Sequence, residues 1–248
     1  FKENNRKVNS AFVIAGGVAS NKKIRKLLSE KGLSVLIQAA IFKLLSNLFH
    51  IPSRKIAMFN GIAVRGASLY SKTDLFPEHE AELISAIRNY VESGENVLVV
   101  GGGTGASTVA VAHQVGIKGT VITYEGNKNS VDVVNDTINL NKVNNRVSVK
   151  HVIVEKPIHL MGFVGDAPTL LAKDFPECDA LVMDCEGAEL LILQNLIIRP
   201  RLIIVETHPM FDSPEEKITE LLKNLGYDII SNNLRQKSVE ILSAIRKN

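Results

Sequence analysis

Three groups of residues in this chain have the types and spacing to do chemistry. The first is Val97-Leu98-Val99-Val100-Gly101-Gly102-Gly103-Thr104-Gly105, with four glycines in its last five residues. An apolar stretch ends there and a helical pattern begins. Missing side chains let the backbone turn sharply, adopt positive φ and meet a ligand closely. The second is Glu125, closing Val121-Ile122-Thr123-Tyr124-Glu125. A carboxylate there can accept from both hydroxyls of a ribose. The third is a set of acids and one histidine. Ala180-Leu181-Val182-Met183 leads into Asp184-Cys185-Glu186-Gly187-Ala188-Glu189, and Ile203-Ile204-Val205 leads into Glu206-Thr207-His208-Pro209. A carboxylate ending a buried strand needs a partner, because an unpaired buried charge is costly. Asp184 could therefore orient an acceptor or balance a cationic ligand. His208 is the candidate general base, since an imidazole pKa of about 6.5 suits that task. Glu189, in the first turn of the next helix, favours the positive end of the helix dipole. Asp184, Glu206 and His208 could also hold a divalent metal, but nothing in their spacing demands one, and none is expected.

The glycine loop leaves its ligand open. Gly101, Gly103 and Gly105 form the G-x-G-x-G of adenosylmethionine sites. Gly101, Gly103 and Ala106 equally satisfy the G-x-G-x-x-A of dinucleotide sites. Glu125 serves either cofactor.

The elements that must position these groups alternate in type. Unbroken apolar runs predict strands over 96–100, 119–125, 146–154, 180–184 and 202–206. Helical periodicity falls between them, over 77–93, 104–115, 130–140, 188–196 and 213–225. Asn60-Gly61 predicts a hairpin over 55–64. The chain closes with strands over 227–231 and 238–244, with no helix between them, so they are expected to pair antiparallel. This is an α/β fold: a Rossmann-like, doubly wound, mostly parallel seven-stranded sheet with an antiparallel last strand. A dinucleotide-binding oxidoreductase would lack that final pair.

Residues 1–54 read as a basic, mainly helical extension, and 55–248 as the main domain. The extension carries a strand over 11–15, a helix over 20–31 and an amphipathic helix over 33–51, interrupted by Gln38, Lys43, Asn47 and His50. That helix is expected to pack on protein or on a second subunit rather than to span a membrane. Residues 1–60 hold eleven Lys or Arg against two Asp or Glu, and the remainder holds eighteen against twenty-four. A basic arm on an acidic body suits an anionic contact such as nucleic acid. With 5% aromatic residues and no Trp, no rich stacking platform for bases is visible. The two cysteines, Cys178 and Cys185, make neither a disulfide framework nor a zinc spacing, which fits a reducing, cytoplasmic setting. The sequence begins with Phe1, not Met, and shows no secretory signal.

Taken together, Val97–Gly105, Tyr124-Glu125-Gly126, the block Asp184–Glu189 and Val205-Glu206-Thr207-His208 resemble FkbM-type methyltransferases, most nearly an archaeal branch of them. The likeness covers residues 55–248 and includes Phe76-Pro77-Glu78-His79-Glu80-Ala81 and Val239-Glu240-Ile241-Leu242. The Asp-Cys-Glu-Gly-Ala-Glu block is its most specific piece. The resemblance implies a class I fold, S-adenosylmethionine as cofactor at Gly101, Gly102, Gly103, Gly105 and Glu125, and O-methylation of a sugar or small-molecule hydroxyl. It also implies an acid meeting the adenine amino group after the third strand of the main sheet, for which Asp166 is the candidate. One departure stands out: an acid common just before the glycine loop in methyltransferases is replaced by Val99-Val100. RNA methylation using the basic extension, and a non-enzymatic cofactor-binding protein, are the alternatives.

Overall fold

The computed structural model describes residues 54–69, 71–156, 166–234 and 240–247. The elements expected over 11–15, 20–31 and 33–51 lie outside the described residues. The chain divides into two compact units. One includes Arg54–Ala57 and Arg65–Asp74, where Lys55 Nζ donates to the Ser71 carbonyl at 3.0 Å and Arg54 Nη1 to the Gly66 carbonyl at 2.6 Å. The other comprises Met58–Val64 and Leu75–Asn248, and everything below concerns it.

Its elements, in chain order, begin with the ends of strands β1 (Arg54–Phe59) and β2 (Ile62–Ser68). The turn between them is Asn60-Gly61, both with positive φ, as a two-residue hairpin of this hand requires. Strand β3 (Leu75–Phe76) pairs with β1 through Phe59 and Phe76. Helix α1 (Ala81–Tyr90) follows, then β4 (Asn96–Val100), α2 (Ala106–Val115), β5 (Thr120–Glu125), α3 (Lys128–Leu140), β6 (Val147–His151), β7 (Ile153–Val154) and β8 (Thr169–Leu170). The chain continues with β9 (Ala180–Met183), α4 (Glu189–Asn195), β10 (Leu202–Glu206), α5 (Glu215–Asn224), β11 (Tyr227–Leu234) and β12 (Glu240–Arg246). No helix among the described residues is long and apolar enough to cross a membrane.

The main sheet has seven strands in the order β11-β12-β10-β9-β4-β5-β6. Neighbours from β10 to β6 are parallel, and β12 runs antiparallel to both β10 and β11. The expected closing pair is therefore present. Side chains alternate between faces along a strand. Leu98, Val100, Leu181, Met183, Ile203 and Val205 join one core cluster with Ile192 and Leu193 of α4 and Ile218 and Leu222 of α5. Their alternates Val97, Val99, Val182, Leu202 and Ile204 are also buried. Both faces are thus covered, the second by the adjoining helices α1, α2 and α3. Helix α2 is buried on nearly every side, which its Ala- and Val-rich sequence permits.

Several element ends differ from expectation for local reasons. The helix expected from 77 begins at Ala81, because Glu80 takes a left-handed φ of 49°. The helix expected from 104 begins at Ala106, because Gly105 is left-handed. The helix expected from 130 starts two residues earlier, where Asn127 caps it by accepting from the Asn129 amide. The strand expected over 146–154 divides, since Val152 N donates to the Glu125 carbonyl and β7 leaves to pair with β8.

The backbones approach closely just past the ends of β4 and β9. A Cβ built on Gly101 would stand 1.8 Å from the Asp184 carbonyl oxygen, and Gly101 has φ of 92°. Gly101→Ala should cost about 3 kcal/mol or more, since it combines overpacking against backbone with left-handed strain. Urea unfolding checks this, and a loss below about 1 kcal/mol would contradict the close approach.

Candidate active site at the carboxyl edge of the sheet

Strand register brings the predicted residues together. Val100 lies opposite both Tyr124 and Met183, and Met183 opposite Val205. The next residue of each strand is Gly101, Glu125, Asp184 or Glu206. All four leave the sheet at one level, on the carboxyl edge where open α/β sheets bind ligands.

The glycines serve different ends. Side chains on Gly101 and Gly105 would strike the Asp184 carbonyl and Thr137 of α3, and one on Gly102 would meet Val134 at 2.8 Å. These three are required by packing alone. Gly103 is exposed, and a Cβ on it would find nothing within 4 Å. Its bare surface is free for a ligand. Glu125 is buried and its carboxylate is already engaged: Oε2 accepts from the amides of Gly102 and Gly103, both at 2.9 Å, and Oε1 from Asn127 at 2.7 Å. A carboxylate offers about four lone-pair sites. Glu125 therefore holds the loop in shape and keeps roughly one site for another donor.

At the far side of the edge, His208 is surrounded by acids. Nδ1 lies 2.9 Å from Glu189 Oε1, while Nε2 lies 3.5 Å from Asp184 Oδ1 and 3.8 Å from Glu206 Oε1. With Nδ1–H donated to Glu189, the free lone pair of Nε2 would face two carboxylates. A proton on that nitrogen relieves the conflict. Burial works against the cation, yet the Glu189 hydrogen bond and charge, with Asp184 and Glu206, raise the pKa to about 8. Burial pushes Asp184 well above its ordinary range, with Glu206 and Glu80 adding to the rise and His208 opposing it. Its side chain still keeps a quarter of its surface exposed.

Sequence reasoning placed Glu189 among the chemistry-bearing acids but missed its contact with His208. Glu189 is fully buried, and it accepts from the amides of Cys185 and Gly187 at 3.0 and 2.9 Å as well as from His208. Burial tends to raise its pKa, but the hydrogen bond and charge of His208, with the backbone amides of Glu189 itself and Cys185, bring it below the ordinary value. Its expected service to the helix dipole is the lesser part of its role. Glu80 was also missed. It stands one residue before α1, with Oε1 3.5 Å from Thr104 Oγ1 of the glycine loop and 3.1 Å from His79 Nε2.

Asp184, Glu206 and His208 each offer a ligand atom within 4.8 Å of the others. The expectation that no metal binds rested on linear spacing, and the folded arrangement supplies a donor set of the kind that binds divalent cations. Asp166 is exposed in a turn just before β8, which pairs beyond the end of β6.

No family model and no curated protein matches this chain. Solved structures do. A ribosomal protein L11 methylase from Lactobacillus delbrueckii subsp. bulgaricus is 17% identical, over 68% of this chain and 79% of that one, with a TM-score of 0.51. A SAM-dependent methyltransferase from Aquifex aeolicus is 15% identical over 67% and 89%, at 0.47. An O-methyltransferase from Bacillus cereus in complex with SAH is 17% identical over 71% and 84%, at 0.49. The likeness to the L11 methylase shows the shared α/β Rossmann-like fold.

Two outcomes follow from this geometry. Glu125→Ala strips the acceptor from three loop amides, one of them buried, and should cost at least about 2 kcal/mol in the ligand-free protein; unchanged urea unfolding would refute the anchoring role. His208 should titrate near pH 8 by NMR, and Glu189→Gln should move it down towards about 6.5. Because the folded pKa is raised, the ion pair contributes stability fully below about pH 6.5, and that stability is lost as pH rises through about 8.

Proposed function

We propose that this chain is an S-adenosylmethionine-dependent methyltransferase that methylates a hydroxyl of a sugar or another small molecule. One observation carries the reading: the open face of Gly103, the Glu125 carboxylate and the Asp184–Glu206–His208 cluster meet on a single carboxyl edge. A cofactor spread along that edge would lay its ribose at Glu125, its methionine end over Gly103 and its sulfonium towards Asp184. Gly101, Gly102 and Gly105 shape the loop beneath it. Asp166 is the residue proposed to meet the adenine amino group. The antiparallel β12 supports this reading over the dinucleotide alternative, which expects no such strand. The FkbM likeness rests on the Asp184–Glu189 block, and the buried Glu189–His208 pair gives that block a physical task.

The chemistry asked of the protein is alignment plus one proton transfer. The acceptor oxygen attacks the methyl carbon in line with the C–S bond, and that bond's electron pair goes to sulfur, leaving a neutral thioether. The hydroxyl proton passes to Nε2 of the neutral His208, the form that predominates above about pH 8. Glu189 fixes the ring through Nδ1, and Asp184 and Glu206 stabilise the imidazolium that forms.

Isothermal titration of the purified protein with adenosylhomocysteine and with NAD tests the cofactor. Binding of the first and not the second is expected; the reverse would overturn the reading. Gly103→Ala should keep the fold, at a cost of about 1–2 kcal/mol for the left-handed residue, but weaken adenosylhomocysteine. For an identified acceptor, His208→Ala should lower the turnover rate roughly 10²- to 10⁴-fold while leaving cofactor affinity near normal. Full activity in that variant would end the assignment of the base.

The Asp184–Glu206–His208 trio favours a second reading, in which a divalent cation lowers the acceptor's pKa and His208 is a ligand. Dialysis against EDTA separates the two. Activity that survives keeps His208 as base, whereas loss restored by Mg²⁺ or Mn²⁺ transfers that work to the cation.

A further inference from the structure

Glu80 is the most conspicuous polar group that neither loop shape nor proton transfer uses. It precedes α1 in a left-handed conformation, φ 49° and ψ 32°, and its carboxylate makes no capping bond to its own helix. Short polar side chains such as Asp cap helices from that position by accepting from the first-turn amides. Here only the Glu80 carbonyl serves the helix, by accepting from Ile84 N at 2.8 Å. The side chain is turned elsewhere. Glu80 is only 9% exposed, Oε1 meets His79 and Thr104, and among the described residues the buried Oε2 has no hydrogen-bond partner. A carboxylate oxygen taken out of water and given no donor is costly, and it marks a place where a donor from outside the chain belongs.

The position of that oxygen says what the donor is. Thr104 adjoins Gly103, whose outer face is clear for 4 Å. Glu80 is also close enough to Asp184 to raise its pKa. The carboxylate is therefore at the end of the glycine loop opposite Glu125, over the part of the edge reserved for the methionine half of a cofactor. That half carries an α-ammonium, a cationic donor of three hydrogen bonds. The strand beneath cannot receive it, because β4 ends in the buried, apolar Val99 and Val100 where methyltransferases commonly have an acid.

We infer that Glu80 is the binding residue for the α-ammonium of the cofactor's amino-acid portion, acting from the start of α1 in place of an acid on β4. The inference rests on the methyltransferase reading. His79 holds Glu80 from the other side: its ring stands edge-on to Phe59 at 4.8 Å, and its Nε2 is shared between Glu80 Oε1 and Thr104 Oγ1. The carboxylate is preorganised, so little ordering is needed when the ammonium arrives.

Calorimetry on the full chain with three ligands tests this. Adenosylhomocysteine carries the ammonium, its deamino analogue lacks only that group, and 5′-methylthioadenosine lacks the whole amino-acid portion. On the unaltered protein, the deamino analogue should bind about 10- to 100-fold more weakly than adenosylhomocysteine, the range for losing a hydrogen bond to a charged group. Glu80→Gln should impose a similar loss on adenosylhomocysteine and leave methylthioadenosine within about twofold. Equal affinity of the unaltered protein for adenosylhomocysteine and its deamino analogue overturns the inference, and needs no variant to fold. A Glu80→Gln change that weakens all three alike also overturns it, by making Glu80 a prop for the loop. If the unaltered protein binds none of them, the cofactor reading itself fails, and Glu80 falls with it.

Discussion

The contact between the backbones of Gly101 and Asp184 is the constraint on which the edge depends. Ladder bonds run one residue past the strands: Gly101 N donates to the Tyr124 carbonyl at 3.0 Å, and Asp184 N to the Val100 carbonyl at 2.9 Å. These two bonds hold the first residue of the loop and the first acid of the cluster in the plane of the sheet. No side chain fits between them. The loop can then rise directly from β4, and Asp184 can stand beside it rather than behind it. A wider gap would separate a ligand on Gly103 from the acids by a layer of protein.

Charge at this edge is unevenly distributed. Asp184, Glu189 and Glu206 face one imidazole, with Glu80 close enough to act on Asp184. Glu189 has backbone amides, from Cys185 and Gly187, that share its charge. It therefore settles as an anion, while Asp184 is pushed towards its neutral form. The same excess explains the direction of His208, whose burial alone would make it more acidic. A site with this balance favours cations. A sulfonium ligand and a protonated imidazole are both cationic, and both appear in the proposed reaction.

The frame of the molecule was readable in the sequence, because its causes are local. Continuous apolar runs make buried parallel strands, and their ends coincide with Gly101, Glu125, Asp184 and Glu206. What was unreadable depends on pairs far apart in the chain. Glu189 and His208 are separated by 19 residues and meet only because β9 and β10 are neighbours in register. Glu80 and Thr104 are separated by 24 residues and meet across the start of two helices. The start of α1 could not be placed because a left-handed glutamate is not a local preference. Asp184 and Glu206 likewise lie 22 residues apart in sequence, and strand register, not sequence spacing, makes them adjacent.

Glu125 has a structural role that its position in the sequence does not announce. A strand-end acid facing a glycine loop reads naturally as a ribose ligand. In the folded chain it first satisfies the loop, through the Gly102, Gly103 and Asn127 amides. The two tasks are compatible only in part, because three bonds leave about one acceptor site. A diol that binds with both hydroxyls must either share lone pairs with these amides or draw the carboxylate away from one of them. The amide released would then point outward from the loop beside Gly103, where a donor can meet a ligand oxygen. A ribose placed here would therefore compete with the Gly102, Gly103 and Asn127 amides for one carboxylate.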